Sequence, residues 1–183
     1  MPGFEGRIDR HWPDAFPSPV LGGWSGFKSL IDEGHQMGFR FIPHLNVWGA
    51  SYENPRTQAF LPDQIYDPEG RPSNWTWDYD QDEIAEEVMA YISPASPEWR
   101  KVLIENISAL VKNGVDAIYL DQTGTFINDL RHDHFQGLLT LYRELRETFP
   151  SIQFAGEAPN HEITASLVGL VCGISTVQTA RLA

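Results

Sequence analysis

The chain has a single cysteine, Cys172, which excludes an intrachain disulfide framework and any zinc site built on several thiolates. Its neighbours are apolar, so the thiol reads as a buried, inert group. Cations are scarce as well. Thirteen Lys and Arg against 25 Asp and Glu give a net charge of −12, and the basic residues form no cluster. That balance argues against a nucleic-acid or anionic-membrane partner and accommodates a neutral or cationic one. No apolar run approaches the roughly 20 residues needed to span a bilayer, and the N-terminus lacks an apolar signal-peptide core. A soluble chain is expected, with its compartment open. There is no HExxH motif, and the acidic run from Asp78 to Glu87 lacks the spacing of an EF-hand, so it reads as a solvated face. No metal or cofactor is expected.

What the chain does have is aromatic side chains. Of its 183 residues 22 are Phe, Trp or Tyr, and most of the six Trp fall in segments that read as loops. Rings in loops beside acids suit the apolar faces of sugars, with carboxylates accepting hydroxyl hydrogen bonds; the alternative is that they pack beneath long loops. An apolar fraction of 42% over this length supplies one sizeable core, so a single domain spanning 1–183 is expected.

Along the chain, Met1–Ser25 is loop-like. Its Asp9, Arg10, His11 and Asp14 suit loop salt bridges or a substrate contact. Ser25 suits a helix N-cap, and Phe27, Leu30, Ile31 and Met37 trace one face up to Gly38. Phe39–Asn46 reads as a buried strand that ends or bulges at Pro43, leaving His44 and Asn46 on its C-terminal rim and on one side. From about 47 to 96 the pattern fails in an aromatic-rich insertion, with helical phasing only over Asp82–Tyr91. Ser96-Pro97-Glu98 then opens a helix whose apolar stripe runs to Gly114.

Gly114–Gly124, GVDAIYLDQTG, follows as a helix stop, a short buried strand and a carboxylate, Asp121, at the strand tip. Phe135 to Phe149 marks the next amphipathic helix, and Ile152–Phe154 the next strand, ending at Glu157. A helix near Glu162–Val171 and a strand over Gly173–Gln178 would continue the series. Strand-helix alternation of this kind predicts parallel strands with right-handed crossovers. Three or four β/α units amount to about half of an eightfold (β/α)8, or TIM, barrel of roughly 250 residues. A half barrel exposes sheet edges, which favours self-association.

In parallel α/β folds chemistry sits at the C-terminal strand tips, and two successive tips here carry Asp121 and Glu157. Such a pair suits glycoside cleavage: in the retaining form one carboxylate attacks the anomeric carbon and the other protonates the leaving oxygen, and a wider separation would give the inverting form, a choice that depends on distance rather than sequence. Capping a turn or pairing with a nearby cation is the structural alternative. Trp48, Tyr119 and Gln122 join His44 and Asn46 as candidate substrate contacts. A metal-dependent hydrolase using His44, Asp121, Glu157 and one of His132, His134 or His161 is a weaker option without a supporting motif.

Three segments, PHLNVWG (Pro43–Gly49), GVDAIYLDQTG and FAGEAPN (Phe154–Asn160), resemble the middle of a glycoside-hydrolase (β/α)8 barrel. The likeness is to endo-α-N-acetylgalactosaminidase-type enzymes and, more distantly, to the α-amylase superfamily. It implies a His-x-Asn for substrate binding at His44 and Asn46, a nucleophile at Asp121 and an acid/base at Glu157. Amylase-type enzymes carry an arginine where this chain has Tyr119, so amylase specificity is not implied. The resemblance implies a retaining hydrolase of an α-linked glycan, or a non-catalytic carbohydrate-binding relative of such a barrel.

Overall fold

The computed structural model describes residues 11–78, 80–124, 127 and 129–157. The helix and strand expected beyond Glu157, and with them Cys172 and His161, lie outside the described residues, as do Asp9 and Arg10.

Two sheets organise what is described. In one, β1 (His44–Asn46), β5 (Ala117–Asp121) and β6 (Gln153–Gly156) run parallel in the order β1-β5-β6. Two helices form the crossovers, α2 (Pro97–Lys112) between β1 and β5 and α3 (His134–Thr148) between β5 and β6. The result is the mixed α/β chain with a parallel sheet that strand-helix alternation calls for.

Local chemistry sets the ends of these elements. Ser96 Oγ accepts from the Trp99 N–H at 3.3 Å, Pro97 needs no donor at the first position, and Asn113 and Gly114 (φ 93°) stop α2. Asp133 caps α3 by accepting from the Gln136 N–H at 3.0 Å. The stripe on α2 buries Trp99, Leu103 and Ile107, and full burial of an aliphatic side chain such as the last two contributes about 1.5–3 kcal/mol each. Trp99 also donates from Nε1 to the Val47 carbonyl at 2.9 Å, fixing α2 against the exit of β1.

Three expectations need correction. The first helix, α1 (Gly23–Gln36), starts two residues before Ser25. Gly22, at φ 93°, ends a 3-10 turn over Pro19–Leu21 and serves as its cap. Its buried face is also narrower than the apolar spacing suggests, because Ile31 is buried while Leu30 and Met37 are exposed. The strand expected over Phe39–Asn46 is regular only from His44. Pro43 has no N–H for the ladder, although the Phe41 and Pro43 carbonyls still accept from Asp116 and Tyr119.

The third correction is the largest. Within 47–96 the expected helical phasing over Asp82–Tyr91 is a strand, β4 (Glu87–Tyr91), at the centre of an antiparallel sheet with β2 (Gly49–Ser51) and β3 (Asn74–Trp77), in the order β2-β4-β3. Ile84, the supposed first residue of a helical face, is exposed. Asp14 ties the N-terminal segment to this insertion through an ion pair with Arg56 and a 3.0 Å bond from Asn54 Nδ2. Among the described residues, no helix is long and apolar enough to cross a membrane.

Candidate active site

The register of the parallel sheet brings the candidate residues together. Asn46 lies beside Asp121, His44 beside Tyr119, and Leu120 beside Gly156, so Asp121 at the tip of β5 neighbours Glu157 just past β6. Alternation along β1 and β5 returns His44, Asn46, Tyr119 and Asp121 to one face. The His44 and Tyr119 rings stack there, 5.4 Å apart and 17° from parallel.

Asn46 is buried and its orientation is set by its own network. Oδ1 accepts from the Trp48 and Gly49 N–H groups at 2.8 and 2.7 Å, which turns Nδ2 toward Asp121 Oδ2 at 3.1 Å. His44 Nε2 lies 3.6 Å from Asp121 Oδ1. Beyond Asp121 the chain turns at Gln122, whose left-handed backbone (φ 58°) aims its N–H at Glu157 Oε2, 2.8 Å away. The Glu157 N–H in turn donates to the Leu120 carbonyl at 3.1 Å.

The two acids are driven in opposite directions. Burial pushes Asp121 up, but His44, whose Nε2 is 3.6 Å away, the adjacent Glu157 carboxyl and the nearby Gln122 N–H outweigh it, so its pKa falls below the ordinary carboxylate value. Glu157 is raised, first by burial, then by its hydrogen bond to Asp121 and by that group's charge, against the opposing effects of the Gln122 N–H and His44. Of the two adjacent carboxyl groups, Glu157 is therefore the one that gives up a proton less readily.

Trp48, expected to offer a ring face to a sugar, does not line this site. It is fully buried, and its Nε1 donates to the Gln122 carbonyl at 3.0 Å, so it holds the β5 turn from behind. Behind it lies His134, with ring centroids 5.9 Å apart. His134 is buried and hydrogen-bonded to Ser93 at 2.8 Å, and burial lowers its pKa. His132 lies 3.8 Å from both Asp63 and Asp129. These two histidines thus have partners other than the acid pair.

A residue that sequence reasoning passed over is Tyr91, the last of β4. Its hydroxyl is pushed up by burial, lowered by a hydrogen bond with the Gln122 side chain and raised again by the charges of Asp121 and Glu157, with a net rise. Tyr91 is paired with Gly49, whose Cβ position faces Asn46 Oδ1, and so adjoins the acid pair. The sequence signal was an aromatic two residues from Met89 and four from Glu87, which a strand reading of that run would have placed on a single face.

The acidic run noted in the sequence gathers Asp78, Asp80, Asp82 and Glu86 so that one carboxylate oxygen of each lies within 4.8 Å of the others. The Asp78 oxygens accept from the Gln81 and Glu83 N–H groups at 2.6 and 2.8 Å, so much of this arrangement serves the β3–β4 turn.

This fold is shared with glycoside hydrolases. The alpha-N-acetylgalactosaminidase NagBb of Bifidobacterium bifidum superposes with a TM-score of 0.67 at 22% identity, over 88% of this chain and 27% of that one. The alpha-galactosidase TtGalA of Thermus thermophilus gives 0.66 at 16% identity, over 90% and 34%. The noncanonic maltogenic alpha-amylase AmyB of Thermotoga neapolitana gives 0.61 at 15%, over 90% and 37%. The chain thus spans about a quarter to a third of the length of these hydrolases. No curated protein sequence matches it significantly. By sequence, residues 5–155 match the family described as a domain of unknown function, DUF6259, and the chain belongs to that family.

Proposed function

We propose that this chain is a single, partial (β/α)8-barrel domain over 1–183, carrying the acid pair of a retaining glycosidase that acts on an α-linked glycan. The observation that carries the proposal is the placement of two carboxyl groups on neighbouring strand tips, Glu157 Oε2 accepting at 2.8 Å from the N–H of the residue after Asp121; their environments also push them in opposite directions, Asp121 downward and Glu157 upward. Two acids with divergent affinities for a proton are the requirement of two-carboxylate glycoside cleavage.

In this mechanism ionised Asp121 attacks the anomeric carbon as Glu157 gives its proton to the departing glycosidic oxygen. A glycosyl ester forms on Asp121, and Glu157, now ionised, takes a proton from water as that water opens the ester. Asn46 holds the nucleophile through Nδ2 and is too buried to meet substrate itself. On this reading His44, stacked on Tyr119 and partly open, meets sugar hydroxyls beside Asp121, and Gln122 joins it. Retaining geometry favours carboxyl groups about 5–5.5 Å apart and inverting geometry about 6.5–9.5 Å. The Gln122 N–H, one residue beyond Asp121, holds Glu157 Oε2 at 2.8 Å, and this close linkage of the two tips supports the retaining course.

A second reading, resting on the exposed indole of Trp77 on β3, is a carbohydrate-binding module that keeps the site without turnover. Both readings meet one test. The chain, Asp121→Asn and Glu157→Gln are assayed on aryl α-glycosides of galactose, N-acetylgalactosamine and glucose, with product anomers followed by NMR. Cleavage with retention that drops at least about 10³-fold in either variant supports the hydrolase. Glycan binding by all three proteins without cleavage supports the module, and full turnover in either variant rejects the assigned roles.

A further inference from the structure

The antiparallel insertion sheet carries a feature that the acid pair does not use. On β4, Tyr91 lies opposite Gly49, Met89 opposite Trp75, and Glu87 opposite Trp77. Directly opposed residues in an antiparallel ladder share a face, and every second residue returns to it. Tyr91, Trp75 and Trp77 therefore stand on one face of the sheet. Gly49 confirms which face this is, because a Cβ placed there would point at Met89 and at Asn46 Oδ1, 3.1 and 3.3 Å away. The row begins at Tyr91, paired with Gly49 and so beside Asn46, which bonds Asp121, and four residues of strand carry it roughly 13 Å outward to Trp77.

The two indoles are nearly parallel, 14° apart, with centroids 5.8 Å from each other. Trp75 packs against the core, whereas Trp77 is 52% exposed. An indole whose purpose is only to stabilise the sheet gains most by full burial. Here one ring is anchored and the second is stacked on it, so Trp77 presents a broad apolar surface in a fixed orientation. Little conformational freedom remains to be lost when a ligand settles on it. Exposed or half-exposed acids adjoin it at Asp78, Asp80 and Glu86, able to accept hydrogen bonds from hydroxyl groups. They also repel anions, as does the net charge of −12.

We propose that Tyr91, Trp75 and Trp77 form a binding track for a neutral glycan chain, leading outward from the acid pair, and that the ligand is an oligosaccharide or polysaccharide rather than a single sugar with a small aglycone. A flat apolar ring with a hydroxylated rim matches a pyranose, whose C–H face lies on the indole while its hydroxyls reach the acids. The direction of the track rests on the glycosidase reading of the acids; the binding itself does not.

The test uses the Asp121→Asn chain, so that ligand survives the measurement, with malto-oligosaccharides of two to seven units and the series raffinose, stachyose and verbascose. Calorimetric titration is expected to show affinity rising with chain length. Adding Trp77→Ala is expected to weaken binding of the longest ligands by about tenfold while leaving the shortest unchanged, and Trp77→Phe to restore most of the loss. A circular dichroism spectrum equal to that of the parent chain shows that each variant is folded. Affinity that does not rise with length, or a length dependence that Trp77→Ala leaves intact, overturns the track. Track-dependent binding without any hydrolysis by the unmodified chain leaves the track standing and removes the hydrolase. Hydrolysis that is indifferent to Trp77 and to chain length does the reverse.

Discussion

The Gln122 N–H donates to Glu157 Oε2 at 2.8 Å from a backbone held at φ 58°, tying the turn after β5 to the carboxylate after β6. A non-glycine residue in the left-handed region carries a cost on the order of 1 kcal/mol, and here the surroundings hold it in place. Trp48 Nε1 grips the Gln122 carbonyl from one side and Glu157 grips its N–H from the other. The Glu157 carboxylate is thereby held against the turn that follows Asp121, which keeps the two acids side by side.

The titration of that unit depends on His44. His44 supplies the largest of the influences that lower Asp121, and it lowers Glu157 as well. His44→Ala is therefore expected to move both steps of the coupled pair to higher pH, the Asp121 step more than the Glu157 step. Carboxyl carbon NMR shifts followed from pH 2 to 8 read this directly and need no substrate. Two steps that stay in place in the variant would show that His44 does not govern the pair.

The contact between β6 and the β5 turn is equally exacting. A Cβ at Gly156 would lie 2.6 Å from Thr123 Oγ1, closer than side chains approach one another, and Thr123 is fully buried. Gly156→Ala is expected to destabilise the chain by roughly 1–3 kcal/mol, in the range of other overpacked cores. Removing Oγ1 with Thr123→Ala should return much of that loss in the double variant, giving a non-zero coupling in a cycle of urea unfolding curves. Additive effects would mean that the two groups do not meet.

These relationships mark what the sequence could and could not disclose. Asp121 and Glu157 stood out because each ends a short apolar run bounded by a helix stop, and the order of elements already implied adjacent parallel strands. The insertion sheet was not legible. Its strands pair residues that lie 10 or more positions apart along the chain, as with Trp77 and Glu87, and as many as 38 apart between Ser51 and Met89. In β4 burial falls on both faces, which hides a period of two behind a false period of three. The position of Trp48 was hidden for a similar reason. A Trp beside a strand tip looks the same in sequence whether it faces solvent or, as here, lies beneath Gln122 with His134 behind it.

At the opposite end of β5 from the acids, Asp116 offers the clearest dependence of stability on pH. His35 Nε2 and Arg40 Nη1 each lie 2.8 Å from its carboxylate, and the Phe41 N–H donates to it at 2.8 Å. Burial opposes ionisation, but the Phe41 N–H, His35 and Arg40 outweigh it and lower the pKa to about 2. In the unfolded chain an aspartate titrates near 3.9. A folded-state pKa below the unfolded one means that the contribution is complete above about pH 4 and is lost as the pH falls toward 2. With the partner Arg40 largely exposed, the contribution is on the order of 1–2 kcal/mol after screening. Asp116→Asn keeps the shape of the side chain but removes its charge. It is expected to lower stability at pH 7 and to flatten the decline between pH 4 and pH 2, both measured by urea unfolding at fixed ionic strength. Equal slopes in the two proteins across that window would show that Asp116 is not the group whose protonation loosens the β1–β5 pairing.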